Sequence, residues 1–391
     1  MLPELWLIII LGFVAFVTSF GAHVVAVNLP AYAAQVGVGV AMIGLLIAAY
    51  DAAEVVAKPL FGALADRRGM KQTMLAGLAL FVIASLAYLW VDPRLLLLIR
   101  FLQGVGAAAL SAVSLALVGE YAVERRGRAY GIYNSIKGAG YVVSPIIGGA
   151  IILKADFAMI FVAAAAIGAL AFVLSLFLPR PRGDTRPHLD DDDDGMGLAG
   201  LLAVFRQSTL WPWYIVTVVN MFFVGILFGF LPVRVYALGY GPLANGVILT
   251  AVSASYLLIQ PLAGAMADRV NPALTIRVGL FVAGACVILT PFVTGWLLFV
   301  VAILAGIGVG TVWTNTDALV SQQAQAGRLG ATMGVAGTFK EIGDMLGPLL
   351  IGIVSQAFGL TVGFVACGVL GLLALGLIAN RKVASRTVES S

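Results

Sequence analysis

Apolar runs of about 20 residues recur along almost the whole of this 391-residue chain, and they constrain its fold more than any motif does. A run of that length crosses a bilayer as a helix, because hydrocarbon offers no partner to an unpaired backbone N–H or C=O. The runs lie near residues 5–29, 40–63, 72–91, 95–118, 129–153 and 157–178, then near 210–232, 242–267, 273–294, 296–320, 331–354 and 359–380. Hydrophobic residues make up 61% of the chain and charged residues 11%, against about 25% charged in an ordinary soluble domain. The expected fold is an all-α membrane protein with twelve transmembrane helices in two six-helix bundles.

Residues 1–178 form the first bundle and 210–391 the second, with a short tail. Between them, 179–209 is proline-rich and charged and reads as a linker, with a possible surface helix near Leu198–Phe205. Its acidic run Asp190–Asp194 beside His188 reads as a solvated spacer rather than a cation site. The N-terminus carries Glu4 and no basic stretch, so the first run is expected to be retained as a span. Cys286 and Cys367 both sit in apolar runs and read as small core residues. No His/Cys spacing suits a metal and no GxxxxGK[ST] motif suits a nucleotide, so neither metal nor cofactor is expected. Nor is catalysis or nucleic-acid binding: the basic residues are scattered through short loops despite a pI near 9.1.

Placing both termini in the cytoplasm puts sixteen Lys and Arg residues inside, among them Arg67, Arg68, Lys71, Arg125, Arg126 and Arg128. Only Arg94, Lys154 and Arg234 then lie outside, a strong positive-inside bias. Lys58, Arg100, Lys137 and Lys340 fall within spans.

The two halves repeat. Pro59, Gly62, Asp66 and Arg67 recur as Pro261, Gly264, Asp268 and Arg269, 202 residues on. Arg125, Gly131, Lys137, Gly140, Pro145 and Gly149 recur as Arg328, Gly334, Lys340, Gly343, Pro348 and Gly352, 203 residues on. Copies with the same orientation imply pseudo-symmetric, parallel repeats.

With these features the chain resembles the major facilitator superfamily of secondary transporters. Gly62–Lys71, including Asp66, Arg67 and Gly69, looks like its signature between helices 2 and 3, with Met70 where a basic residue is usual. Arg100-Phe-Leu-Gln103-Gly104-Val-Gly106 resembles its helix 4 motif RxxQGxG, whose arginine is associated with proton coupling. Gly140 to Gly149 resembles the helix 5 motif GxxxGPxxGG of drug–proton antiporters, with Ser144 replacing a glycine. The resemblance implies transport by alternating access, with efflux of small amphipathic compounds coupled to protons. The alternative is proton symport importing a polar or anionic metabolite. Its implied setting is a monomer in a bacterial-type inner (plasma) membrane, with substrate, protons and lipid as its partners.

Charged residues inside spans are costly and persist where they face a partner or a watery cavity, which makes them the site candidates. Asp51, Glu54 and Lys58 share one face of helix 2 by their spacing. Glu341 and Asp344 lie beside Lys340 on helix 11. Helices 2 and 11 adjoin in the family, so Asp51, Glu54, Lys340 and Asp344 are expected to form a network between the halves. It would carry protons, with Arg100 and Glu341 contributing, or else act as a static pair fixing the packing. Arg100 either polarises a proton site or snorkels to the outer interface.

Substrate-site candidates are His23, Lys58, Lys137, Asn220, Trp313, Asn315, Asp317 and Lys340; for His23 and Asn220, a helix–helix hydrogen bond is an equal alternative. Phe222, Phe223, Phe228, Phe230, Tyr236 and Tyr240 line a pocket or face lipid. For gating, the resemblance implies that Asp66 latches onto a helix start in the other half, where the macrodipole favours its charge; otherwise Asp66, Arg67 and Gly69 merely anchor topology. Asp268 repeats that position. Gly140, Pro145, Gly148, Gly149 and Pro348 are expected to form a close, bendable helix contact or ordinary small-residue packing.

Overall fold

Over its described residues every apolar run folds as a helix, and proline or glycine marks two of the breaks. The structure, a computed structural model, describes residues 2–37, 39–90, 92–121, 126–179, 206–267, 272–324 and 329–378. In chain order the helices are α1 (Leu2–Ala26), α2 (Leu29–Val36), α3 (Val40–Arg68), α4 (Met70–Ala87), α5 (Leu96–Tyr121), α6 (Arg126–Lys154) and α7 (Ala158–Leu176). They continue as α8 (Trp211–Ala237), α9 (Pro242–Ala267), α10 (Pro272–Leu289), α11 (Gly295–Gln322), α12 (Leu329–Phe358), α13 (Leu360–Leu373) and α14 (Leu375–Ile378).

Three boundaries differ from the sequence reading. The first run ends at Ala26 and restarts as α2, because Pro30 has no N–H to continue the ladder. Asn28 at the break donates its amide to Val24 O at 2.8 Å. The turn expected across Gly62–Lys71 is confined to one residue. Helix α3 continues through Arg68, Gly69 takes φ 94°, and α4 starts at Met70. That φ belongs to glycine, since a Cβ there would clash with the backbone. The last span is also interrupted, at Ala374.

Ten of the described helices are long and apolar enough to cross a membrane. Helix α12 is set apart by Lys340, Glu341 and Asp344 in its middle, and α13 by its length of 14 residues. The linker's acidic run and its possible surface helix lie outside the described residues. The described part of the chain is therefore helical and multi-pass, with both cysteines unpaired and buried.

By contacts the chain divides into two compact units. One comprises Met1–Leu189 with Phe228–Thr250, and the other Asp190–Leu227 with Ala251–Ser391. The first unit has two apolar clusters, one around Leu11, Phe81, Leu110 and Leu117 and one around Phe20, Val25, Tyr88 and Phe161. In lipid the apolar surface of a helix gains nothing by burial, so helices associate by close packing, and glycines mark where they do so.

Those glycine contacts carry the repeat into three dimensions. A Cβ on Gly104 would collide with Tyr50 O, and one on Gly306 would lie 2.6 Å from Val252 O. Gly106 meets Gly77 O and Phe81 N as Gly308 meets Gly279 O and Ala283 N. Gly140 approaches Phe16 and Ser19 as Gly343 approaches Val218 and Met221. Each unit is thus built on the same close crossings, of α5 with α3 and α4, and of α11 with α9 and α10.

Candidate functional site

The second unit brings four sequence candidates and three unforeseen residues to one small cavity. Helix α8 supplies Thr217, Asn220 and Met221, helix α11 supplies Trp313, Thr316 and Asp317, and helix α12 supplies Lys340. The Lys340 ammonium lies 2.7 Å from Asp317 Oδ2, with side chains 20% and 27% exposed. It also lies 4.9 Å from the centre of the Trp313 ring, within reach of a cation–π attraction. Tyr256 of α9 stacks with that indole, with centroids 5.9 Å apart and planes 12° from parallel.

Hydrogen bonds fix the polar edges of this cavity. Asn220 donates its amide to Val309 O at 3.2 Å, which turns its carbonyl oxygen the other way. That oxygen and the Thr316 hydroxyl are buried and have no protein partner. Asn315 is different: its amide is bonded to Thr311 O and reaches Ala263 O, and it lies outside the cavity lining as a tie between α11 and α9. The free space there is about 10 Å³, roughly what one water requires.

The ion pair of Lys340 reaches beyond its own helix. Asp344 stands four residues along α12, yet the carboxylate at 2.7 Å belongs to Asp317, 23 residues away on a neighbouring helix. Glu341 and Asp344 are both half-buried and take part in interactions of their own.

In the first unit, Arg100 is 2% exposed and does not snorkel. Its guanidinium donates to Gln103 Oε1 at 2.8 Å and to Ala22 O at 3.1 Å, and lies 4.4 Å from the centre of the Tyr50 ring. Gln103 passes the network on to Ser85 at 3.0 Å and accepts from Tyr88 at 3.4 Å. These contacts hold a buried cation by dipoles and an aromatic face. On α3, Glu54 is 7% exposed and pairs with Lys58 at 2.6 Å, one helical turn on, while Asp51 is half-buried. Lys137 on α6 is also half-buried.

His23 donates from Nδ1 to Ser19 O at 2.9 Å, and its ring packs edge-on against Tyr141 and Phe228. Farther along the same helices, a Cβ on Gly149 would collide with Pro242 O, one on Gly148 with the Asn28 amide, and one on Gly246 would come within 2.5 Å of Pro145 O. Asn245 donates to Val27 O and Thr250 to Val142 O. Glycine on both sides lets α6 and the start of α9 approach to backbone contact.

Gly62 has nothing within 4 Å of a Cβ built on it. Asp66 and Arg67 lie in the last turn of α3, but the latch expected of their side chains falls outside the described residues, as does Asp268. What the structure does fix here is Lys71, which donates to Leu176 O at 2.7 Å and to Leu178 O, capping α7. Phe222, Phe223, Phe228 and Phe230 are all buried within protein, so none is lipid-facing bulk. Tyr256, Thr217, Met221 and Thr316 are not among the sequence candidates. Tyr256 has a signal: it lies 202 residues after Glu54, at the repeat-equivalent position.

The model described as Major Facilitator Superfamily matches residues 11–246 and 213–390. Multidrug resistance protein MdtL of Shigella flexneri is 28% identical, over 93% of this chain and 94% of that protein. The class D tetracycline resistance protein of Salmonella ordonez is 27% identical, over 87% and 88% respectively. Among solved structures, a bacterial homologue of the human lysosomal transporter Spinster superposes with a TM-score of 0.83 over 96% of each chain, at 16% identity; at that identity the likeness speaks for the fold.

Proposed function

Because the chain belongs to the Major Facilitator Superfamily, a family of transporters and not enzymes, we propose that it exports small amphipathic compounds in exchange for protons, by alternating access. It is a multi-pass membrane protein that handles small molecules. The observation that carries the finer reading is the Lys340–Asp317 pair, set within the helical bundle beside an indole and two buried acceptors without protein partners. Ion pairs at that depth are costly, and a substrate or a proton can exchange with either member. The relatives named for multidrug and tetracycline resistance support the outward direction, since export lowers the internal level of a toxic compound.

In this reading the cavity on α8, α11 and α12 takes the substrate. Asp51, Glu54, Glu341 and Asp344 are the acids that load and release protons, and Arg100 sets the electrostatics of the first unit. His23, Lys58 and Lys137 contribute to the substrate path, while Gly62, Asp66, Arg67, Gly69 and Asp268 act at the cytoplasmic gate. Gly140, Pro145, Gly148 and Gly149 form a bending contact, with Pro348 in the corresponding place. The protein works as a monomer in the inner membrane, with both termini in the cytoplasm and residues 179–209 linking bundles 1–178 and 210–391.

Inverted membrane vesicles with an acid lumen test the direction. An exporter takes up rhodamine 6G from outside as the lumen loses protons. Protons leaving only together with preloaded solute would replace export by symport. No flux of either would remove transport of this compound class.

A further inference from the structure

The Lys340 side chain sits where a ligand would. We propose that the cavity formed by Asn220 of α8 with Trp313, Thr316 and Asp317 of α11 binds an organic cation carrying an N–H group, and that Lys340 is its built-in competitor.

Four observations carry this. The Lys340 ammonium already makes the two contacts an organic cation needs, a carboxylate at 2.7 Å and an indole face at 4.9 Å. Tyr256 stacks on that indole, which adds a second electron-rich ring to the stack. The Asn220 carbonyl oxygen and the Thr316 hydroxyl are buried with no protein partner, and an N–H donor would satisfy them. The free space beside the lysine is only about 10 Å³, far below the roughly 300–1,000 Å³ of a drug-sized site, so a ligand enters only as the lysine leaves.

An anion fits worse. It would gain Lys340 but leave Asp317 without its counter-charge, beside the negative face of Trp313. The site also belongs to one half alone, because the repeat-equivalent of Asp317 is Leu115 and that of Trp313 is Ser111, although Lys340 has its counterpart in Lys137. Since the side chain of Lys340 is 20% exposed, its ammonium has a way out to water when a ligand takes Asp317.

The inference rests on reading this cavity as the substrate's place, and a binding measurement on the purified full chain tests it apart from transport. Fluorescence anisotropy of rhodamine 6G, a cation with N–H groups, and of fluorescein, an anion, supplies the probes. Lys340→Met is expected to tighten rhodamine 6G binding about tenfold and Asp317→Asn to weaken it about tenfold. In the Asp317→Asn background, Lys340→Met should bring no gain, because the two residues act through one contact. Size-exclusion and thermal unfolding check each variant, and the neutral double variant avoids leaving a lone buried charge. Unchanged or weaker rhodamine binding by folded Lys340→Met overturns the proposal. So does fluorescein binding that depends on Lys340, or the absence of rhodamine binding by both the parent protein and folded Lys340→Met. Rhodamine binding as expected without exchange in vesicles would instead refute export and leave the site standing.

Discussion

Gly104 and Gly306 make the same contact 202 residues apart, each setting its helix against a backbone carbonyl of an earlier helix, Tyr50 O on α3 and Val252 O on α9. A repeat first visible as matched prolines and glycines is therefore a repeat of helix crossings. Small residues are required where backbones touch, and both units have them there for that reason.

Gly104→Ala is expected to destabilise the protein by about 1–3 kcal/mol, because its Cβ would meet backbone that cannot move alone. Gly131→Ala, on an open helical surface with nothing within 4 Å, should leave stability unchanged or raise it by up to about 1 kcal/mol. Thermal unfolding in one detergent compares the two. Equal effects would refute the crossing as the reason for the glycine.

Arg100→Lys keeps the charge but cannot serve Gln103 and Ala22 from one planar fork. A loss of about 1–3 kcal/mol follows from acceptors left unsatisfied in a buried setting. The same unfolding assay reads it, and unaltered stability would mean the guanidinium geometry is dispensable.

Lys71 and Tyr121 hold the end of α7, the lysine through Leu176 and Leu178 and the tyrosine through Pro179 O at 2.6 Å. Lys71→Met and Tyr121→Phe should each speed hydrogen exchange in the last turn of α7, at a cost of about 0.5–1.5 kcal/mol apiece. Their effects should combine non-additively because they act on one helix end. Exchange in α13 serves as the unaffected reference.

Proton coupling separates carriers from structural pairs. Asp51→Asn and Asp344→Asn are each expected to reduce proton-driven exchange at least about tenfold, a loss of roughly 1.4 kcal/mol or more in the coupled step, while the proteins stay folded. Full coupling in both variants would exclude those acids as carriers. A static pair would instead tolerate joint apolar replacement.

Much of this protein is legible in one dimension. The length and apolarity of the runs mark the helices, because a bilayer forces the backbone to pair within each segment. The pairing of Glu54 with Lys58 is readable too, since residues four apart share a helical face. The single-residue break at Gly69 is less so: proline and glycine mark that a helix ends, but only the backbone angle shows how little chain the turn needs.

Which side chains meet across helices was decided by the tertiary structure. Lys340 of α12 pairs with Asp317 on α11, beside Trp313 and near Asn220 of α8. Helices apolar on every side carry almost no periodicity to reveal which face points inward, so their rotation and depth come from close packing at glycines such as Gly343 and Gly347 against α8. The spans and their duplication follow from local backbone physics alone. The meeting of Lys340, Asp317 and Trp313 depended on contacts between distant segments, and only the packed fold brings them within reach.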